Sequence, residues 1–323
     1  MKACVIGSKK RSPSTMKIFE AMKESDRFSS VLFVPTEGIR IGVKKKKFPI
    51  FYREIDLMSF DVVVPRIGAS KAMFGYLITK YLIEAGVYMP IRPESILIAH
   101  DKYLTLEVLN RAKIPVPETY LTMSPPSAKR VISELKPPIV MKLLGGSGGK
   151  GVMFSNDEEN AFSLIDTLNV LRQPLFIEKY VRNPGEDIRI IVVGKNAVAS
   201  MKRIAKKGRK RSNLASGGKG ISYKIDSTLE RIAVKSAKAI GAEVCGVDVI
   251  EDPKGNPLVI EVNISPGMKI AGVTNKNIPK MIADYVADRA EVYRPKEGIR
   301  KVSYYIEKEL AKIPKWFLEA LEE

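Results

Sequence analysis

The sequence predicts an α/β chain, parallel at its start and of α+β type further on, from three stretches. Over residues 1–95 short apolar runs alternate with helical periodicity, the pattern of a parallel sheet flanked by helices. Ile139–Ser155 reads strand, glycine loop, strand. Gly246–Gly267 reads as a β-hairpin, because two β-branched runs, Val247–Ile250 and Leu258–Val262, flank the turn residues Asp252–Asn256.

Composition narrows the possibilities. The 323 residues suffice for two or three domains, and 45% apolar with 28% charged residues is ordinary for a globular protein. The charge is not: 54 Lys and Arg against 36 Asp and Glu leave +18, which asks for a polyanionic partner such as a nucleotide, an anionic small molecule or nucleic acid. Cys4 and Cys245 sit in apolar runs and read as core thiols in a reducing compartment, not as a disulfide. No apolar run approaches the roughly 18 residues of a membrane helix, so a cytoplasmic protein is expected. His100 is the only histidine, which leaves no basis for histidine-centred triads or zinc clusters.

In chain order, Ala3–Ile6 and Val31–Val34 read as buried strands, Pro13–Lys23 as a helix, and Asp61–Val64 as a strand ending in Pro65-Arg66-Ile67-Gly68. Arg66 stands just beyond a parallel strand, where such sheets hold ligands, so it reads either as an anion contact or as an arginine in a surface turn. Lys44–Lys47 reads as a hairpin tip before a strand at Phe48–Tyr52, and Ala72–Ala85 as a helix. Lys102–Arg111 is helical, Ile139–Leu144 is a strand carrying Lys142, and Gly145–Gly151 leads into Val152–Ser155. Leu144 and Gly151 stand where a P-loop needs Gly and Ser or Thr, and a strand follows in place of a helix, so that motif fits poorly. A glycine loop between strands can still fold its N–H groups over phosphates. Leu175–Val181 and Asp187–Val193 are strands, the second carrying Asp187 and Arg189; Leu229–Ile240 is a helix. Lys202–Arg211 packs seven basic residues into ten positions, an anion-binding segment or plain disorder. Ile299, Val302, Ile306, Leu310 and Ile313 give the tail from Pro295 an apolar helical stripe.

The hairpin carries the chemistry. With Pro253–Asn256 as the turn, Asp252 pairs with Pro257, Ile250 with Val259, and Asp248 falls opposite Glu261. Alternation then puts Asn263 on the face of Glu261 and sends Ile260 and Val262 into the core. Opposed carboxylates repel, so the pair reads either as charges on a solvated face or, with a cation between them, as an all-oxygen site that suits Mg²⁺.

Read together, Arg66, Asp101-Lys102, Lys142, the glycine loop, Glu178-Lys179-Tyr180-Val181, Asp187, Arg211-Ser212-Asn213, Asp248 and Glu261-Val262-Asn263 occur in an order that resembles the ATP-grasp superfamily, and within it the RimK-type α-L-glutamate ligases, over about residues 1–290. The resemblance implies a three-part architecture: an N-terminal parallel α/β domain (1–96), a central subdomain with a glycine-rich lid (97–183), a C-terminal subdomain with the metal hairpin (184–294) and a helical extension (295–323). It implies ATP as substrate, with Lys102, Lys142, Gly148, Gly149, Glu178, Lys179, Tyr180, Val181, Asp187, Arg211 and Asn213 binding it. Asp248, Glu261 and Asn263 would hold two Mg²⁺ ions, which Mn²⁺ can replace. Lys142 and Arg211 would be catalytic, and Arg66, Arg189, Arg203 and Ser212 would contact the acceptor or the amino acid. Lys179 departs from the family, whose members commonly carry an acid there, and the tail after Pro295 falls outside the resemblance. The implied reaction joins L-glutamate to an anionic carboxylate acceptor through an acyl phosphate, in a homo-oligomer, dimer or tetramer, with neither membrane nor nucleic acid as partner. Acceptors in the family are a ribosomal protein C-terminus, deazaflavin and pterin coenzymes, and small peptides. A ligase for another amino acid or amine, a nucleic-acid binder with a degenerate nucleotide site, and a noncatalytic scaffold are the competing readings; stabilisation by ATP with Mg²⁺ separates the last two from a ligase.

Overall fold

A computed structural model describes residues 1–44, 47–144, 151–183, 185–205 and 218–293. The chain begins with β1 (Lys2–Gly7), α1 (Pro13–Lys23) and β2 (Ser30–Pro35). A small antiparallel sheet, β3 (Ile39–Ile41), β4 (Ile50–Tyr52) and β5 (Ile55–Asp56), intervenes before β6 (Val62–Pro65). β1 lies between β2 and β6, parallel to both, with Val5 beside Phe33 and Val64. Its alternate residues serve two cores. Cys4 and Ile6 join Val63, Ile78 and Leu82 on one side, while Ala3 and Val5 join Ile18 and Met22 of α1 on the other. Both faces being covered explains the unbroken apolar run. Cys4 and Cys245 are buried and free, as expected. Lys44 and Lys47 close on each other through reciprocal backbone hydrogen bonds of 3.0 and 2.9 Å, with Lys45 and Lys46 outside the described residues.

Helices α2 (Ala72–Glu84) and α3 (Pro93–His100) lead to α4 (Lys102–Arg111), whose N-cap Asp101 accepts from Leu104 N at 2.9 Å. Then follow β7 (Thr119–Thr122), α5 (Pro125–Leu135), β8 (Ile139–Lys142), β9 (Val152–Ser155), α6 (Glu158–Val170) and β10 (Leu175–Lys179). They form an antiparallel sheet in the order β7-β10-β8-β9. Ile139, Met141, Leu175 and Ile177 pack on Ile132 of α5 and Ile165 of α6. By the two-residue period of a strand, Val140, Lys142, Phe176 and Glu178 face the other way.

The third part is β11 (Glu186–Val193), β12 (Asn196–Ile204), β13 (Lys219–Ser222), α7 (Ser227–Ile240), β14 (Val244–Glu251), β15 (Pro257–Asn263), α8 (Lys269–Thr274) and α9 (Ile278–Val292). Its sheet runs β13-β12-β11-β14-β15. Ile188, Ile190, Val247, Val249 and Val262 pack with Leu229 and Ala233 of α7. The opposite face is divided: Ile191 and Val193 pack with Ile282 and Val286 of α9, and Asp187, Arg189 and Asp248 stand at its other end. The last turn of α7 ends at Gly241, φ +81°, where an added Cβ would lie 2.8 Å from Arg92 Cδ and 3.0 Å from Ser95 Oγ. Gly241→Ala is therefore expected to cost about 1–3 kcal/mol through backbone strain and crowding, read as a lower urea midpoint; an unchanged midpoint would disprove the constraint.

Several elements differ from expectation. The strands at Ile139 and Leu175 stop at Lys142 and Lys179, two residues early. β12 continues through Lys202 and Arg203, so the basic cluster begins inside a sheet. In the hairpin Asp248 does face Glu261, yet Ile250 pairs with Leu258 and Glu251 with Pro257, one residue away from the expected register. Asp252 makes the difference. Its carboxylate accepts from Lys254 N, Asn256 N and Asn256 Nδ2, which closes a five-residue turn, Asp252–Asn256, with Gly255 at φ +80°. A bulge between Asp248 and Val249 then restores the pairing at the acids. Ile260, the extra residue, is half-buried on the cleft wall and not in the core, where Val259 and Val262 lie instead.

Candidate active site

The open faces of the two antiparallel sheets and the ends of β1 and β6 enclose a cleft of about 690 Å³. On the central sheet, Lys142 Nζ donates to both carboxylate oxygens of Glu178 at 2.7 Å and lies 5.6 Å from the Phe176 ring centroid. Glu178 is buried, so its carboxylate serves to orient Lys142. Lys102, the first residue of α4, donates to the carbonyls of Leu143 and Leu144, both at 2.8 Å. It thereby takes up the carbonyls that β8 no longer pairs, at the threshold of the glycine stretch. Desolvation lowers the Lys102 pKa, against the pull of Glu261. Tyr180 and Val181 line the cleft, with Tyr180 edge-on to Phe154 at 6.0 Å. Lys179 does not: its side chain is exposed and approaches Glu118 at 3.7 Å, while its backbone N–H donates to Glu118 O.

The facing sheet carries a buried charge network. Register places Arg189 beside Asp248, and Asp187 beside Arg203. Arg189 grips Asp248 with a two-pronged contact, Nε to Oδ1 at 2.6 Å and Nη2 to Oδ2 at 2.5 Å. Arg203 spans two acids, pairing with Asp187 through Nε and Nη2 and reaching Asp248 Oδ2 at 2.8 Å. The two guanidinium groups hold the Asp248 carboxyl down to about 2 against the opposing effect of burial. Arg189, expected at a substrate, is absent from the cleft lining and pairs with Asp248. Glu261 makes no hydrogen bond with a described residue; desolvation, then the charge of Asp248, raises its pKa. Asn263 Oδ1 accepts from Ser265 N at 2.8 Å.

The chemistry of the donor set decides which cation it suits. Among the described residues no group of three or more His, Cys, Asp and Glu side chains is placed to hold a metal. Two carboxylates and an amide oxygen remain. Glu261, whose pKa is raised by desolvation and then by the charge of Asp248, is the one whose ionised form a divalent cation would stabilise. Such hard oxygen donors, too few to complete a shell, fit Mg²⁺ shared with phosphate oxygens and water.

Arg66, Lys102, Lys142, Glu178, Tyr180, Val181, Asp187, Arg203, Asp248, Glu261 and Asn263 thus share one cleft. Gly148, Gly149, Arg211, Ser212, Asn213 and the helical tail lie outside the described residues. Sequence reasoning missed the wall formed by Ser12, Thr15, Gly68 and His100. His100 Nε2 lies 2.9 Å from Ile67 O, a contact that fixes the loop after Arg66. The Ser12–Pro13 cap and the Pro65–Gly68 loop, both beyond parallel strands, are the signal that could have located this wall.

Cationic and acidic walls facing across a cleft suit a polyphosphate whose charge is shared between ammonium groups and a divalent cation. The backbone class agrees: the structure of the ATP-grasp ligase PsnB complexed with minimal precursor aligns with a TM-score of 0.71 at 17% identity, covering 90% of this chain and 99% of that one. The fold is ATP-grasp. Within it, the RimK PreATP-grasp domain model matches residues 1–96 and the RimK-like ATP-grasp domain model residues 99–286. A protein of Ectopseudomonas mendocina named "Probable alpha-L-glutamate ligase" is 35% identical over 90% of this chain and 97% of its own length. One of the same name from Pseudomonas putida is 36% identical over 88% and 95%. The chain belongs to the RimK-like ATP-grasp family.

Proposed function

We propose that the protein is an ATP-dependent carboxylate–amine ligase that adds L-glutamate to an anionic carboxylate acceptor, releasing ADP and phosphate. The observation that carries this reading is Asp248 directly opposite Glu261, beside Asn263, in a cleft whose other wall presents Lys102 and Lys142. The acceptor carboxylate oxygen attacks the γ-phosphorus and the bond to ADP breaks, leaving an acyl phosphate. The glutamate amine then attacks the acyl carbon, phosphate leaves, and the amine gives up a proton. Lys142, aimed by Glu178, stabilises charge on the transferring group, and Lys102 contributes a second positive charge at the phosphate end. Two Mg²⁺ ions, with Mn²⁺ as a substitute, are part of the reading; on Asp248, Glu261 and Asn263 they would neutralise the phosphates. A nucleophilic side chain is not needed. Family names support glutamate as the amino acid, and the relatives' shared length supports the same reaction throughout.

The test is ADP formation that requires both Mg²⁺ and L-glutamate in the presence of a lysate fraction, with mass spectrometry of the species that gains one glutamate. ATP turnover indifferent to every amino acid would overturn the reading. A narrower expectation concerns aim: Glu178→Gln should raise KM for ATP about tenfold, on the order of 1.4 kcal/mol, because Lys142 loses its charged partner. An unchanged KM would show that Lys142 is positioned by Phe176 and the strand alone.

A further inference from the structure

Three arginines of the site have little exposure, and two have acids: Arg189 on Asp248, Arg203 on Asp187 and Asp248. Arg66 is different. It is 8% exposed, yet its one described side-chain hydrogen bond runs from Nη2 to Pro266 O at 2.7 Å, and its Nε has no acceptor among the described residues. No carboxylate pairs with it among the described residues. A guanidinium offers five N–H donors, and a buried charge without a counter-ion is costly; burial pushes the Arg66 pKa down to about 10. Nearby Ser265 also keeps a buried Oγ with no partner among the described residues.

The surroundings favour an anion. Ser12 and Thr15, at the start of the eleven-residue helix α1, line the same cleft as Arg66 and Ser265, so the positive end of the helix dipole adds to the guanidinium charge. The pocket is also rigid. Pro266 holds the guanidinium, Met268 N donates to Ser14 Oγ at 2.9 Å, and His100 pins Ile67. Pro266 follows Asn263 by three residues, so a group held on Arg66 is tied to the acidic hairpin by a very short chain segment.

We infer that Arg66, with the first turn of α1 and Ser265, binds a carboxylate of the amino-acid substrate and thereby presents its amine to the acyl phosphate. The inference rests on the ligase reading and adds the residue that selects the amino acid. A small, constant ligand suits a buried, fixed guanidinium better than a bulky acceptor would.

The experiment is calorimetric titration of L-glutamate, L-glutamine and L-isoglutamine into protein saturated with a nonhydrolysable ATP analogue and Mg²⁺. Arg66→Gln and Arg66→Lys are compared with wild type; the lysine keeps the charge but loses the planar fork. L-glutamate should bind at least tenfold more weakly to Arg66→Lys and more weakly still to Arg66→Gln, with nucleotide affinity preserved. Amidating the carboxylate that Arg66 holds should cost wild type at least tenfold and cost Arg66→Gln nothing further, a coupling that a merely structural arginine would not show. If Arg66→Gln fails to fold, judged by loss of nucleotide-induced thermal stabilisation, the same coupling is read with Arg66→Lys. Unchanged glutamate affinity, or losses that simply add, would overturn the inference while leaving the ligase reading intact. A wild-type protein that binds nucleotide but no glutamate would overturn both. Salt-sensitive binding of the modified acceptor that disappears in Arg66→Gln, with glutamate affinity unmoved, would transfer the pocket to the acceptor and refute the assignment.

Discussion

Glu261→Gln is expected to reduce Mg²⁺-dependent turnover by about 3–4 kcal/mol of transition-state stabilisation, a fall on the order of a few hundredfold. The amide keeps the shape and the position opposite Asp248 but removes the carboxylate that has no hydrogen-bonding partner among the described residues. Folding should not suffer. The folded-state pKa of Glu261 is raised, so its ionised form weighs against the native state at neutral pH, and the neutral amide relieves that cost. Two thermal scans decide the matter. The ligand-free midpoint should stay or rise, and the further shift on adding ATP with Mg²⁺ should shrink markedly. Turnover within about tenfold of wild type would remove Glu261 from the metal set.

Arg203→Met is expected to have the largest effect on stability, about 3–5 kcal/mol, because it strips a charged partner from two buried carboxylates at once. Asp187 is 6% and Asp248 3% exposed, so neither regains water where it stands. Lys280→Ala, which breaks the exposed pair with Asp284, serves as control and should leave the urea midpoint unchanged. The acid limb gives a second readout. A carboxyl lowered from 3.8 to about 2 contributes stability that is present above its unfolded value and lost as pH falls through its folded value. Wild type should therefore lose stability between about pH 4 and pH 2, and Arg203→Met should show a shallower loss. An equal slope in both proteins would mean that Arg189 alone sets the Asp248 titration.

The opposed acids were legible in the sequence because strand alternation and one turn fix which residues share a face. The turn itself was misread, since nothing in Asp252-Pro253-Lys254-Gly255-Asn256 announces that Asp252 will cap its own loop. Pairing of Arg189 and Arg203 with Asp248 was not legible either. Those partners lie 59 residues apart for Arg189 and meet only through the order of strands in the sheet. Lys202 and Arg203 read as part of a basic cluster because charge is visible in one dimension, whereas their acids, Glu186 and Asp187, stand on the neighbouring strand. Helix α5 went unread although Ser124 caps it and Ala128, Ile132 and Leu135 carry its buried stripe.

The packing of α9 against β1 and α1 bears on the order in which the molecule assembles. Ala3, Val5, Ile18 and Met22 share a core with Ile282, Val286 and Ala287, and Arg27 of the first layer pairs with Asp288 and Glu291 of the last helix. During synthesis the opening strand and helix therefore emerge some 250 residues before the surface that covers them. The nascent first layer must keep an apolar face open through nearly all of translation, which is a contact of high sequence separation and a slow one to form. A chain stopped after residue 96 would leave uncovered the apolar face on which α9 packs, a surface open to association with other chains.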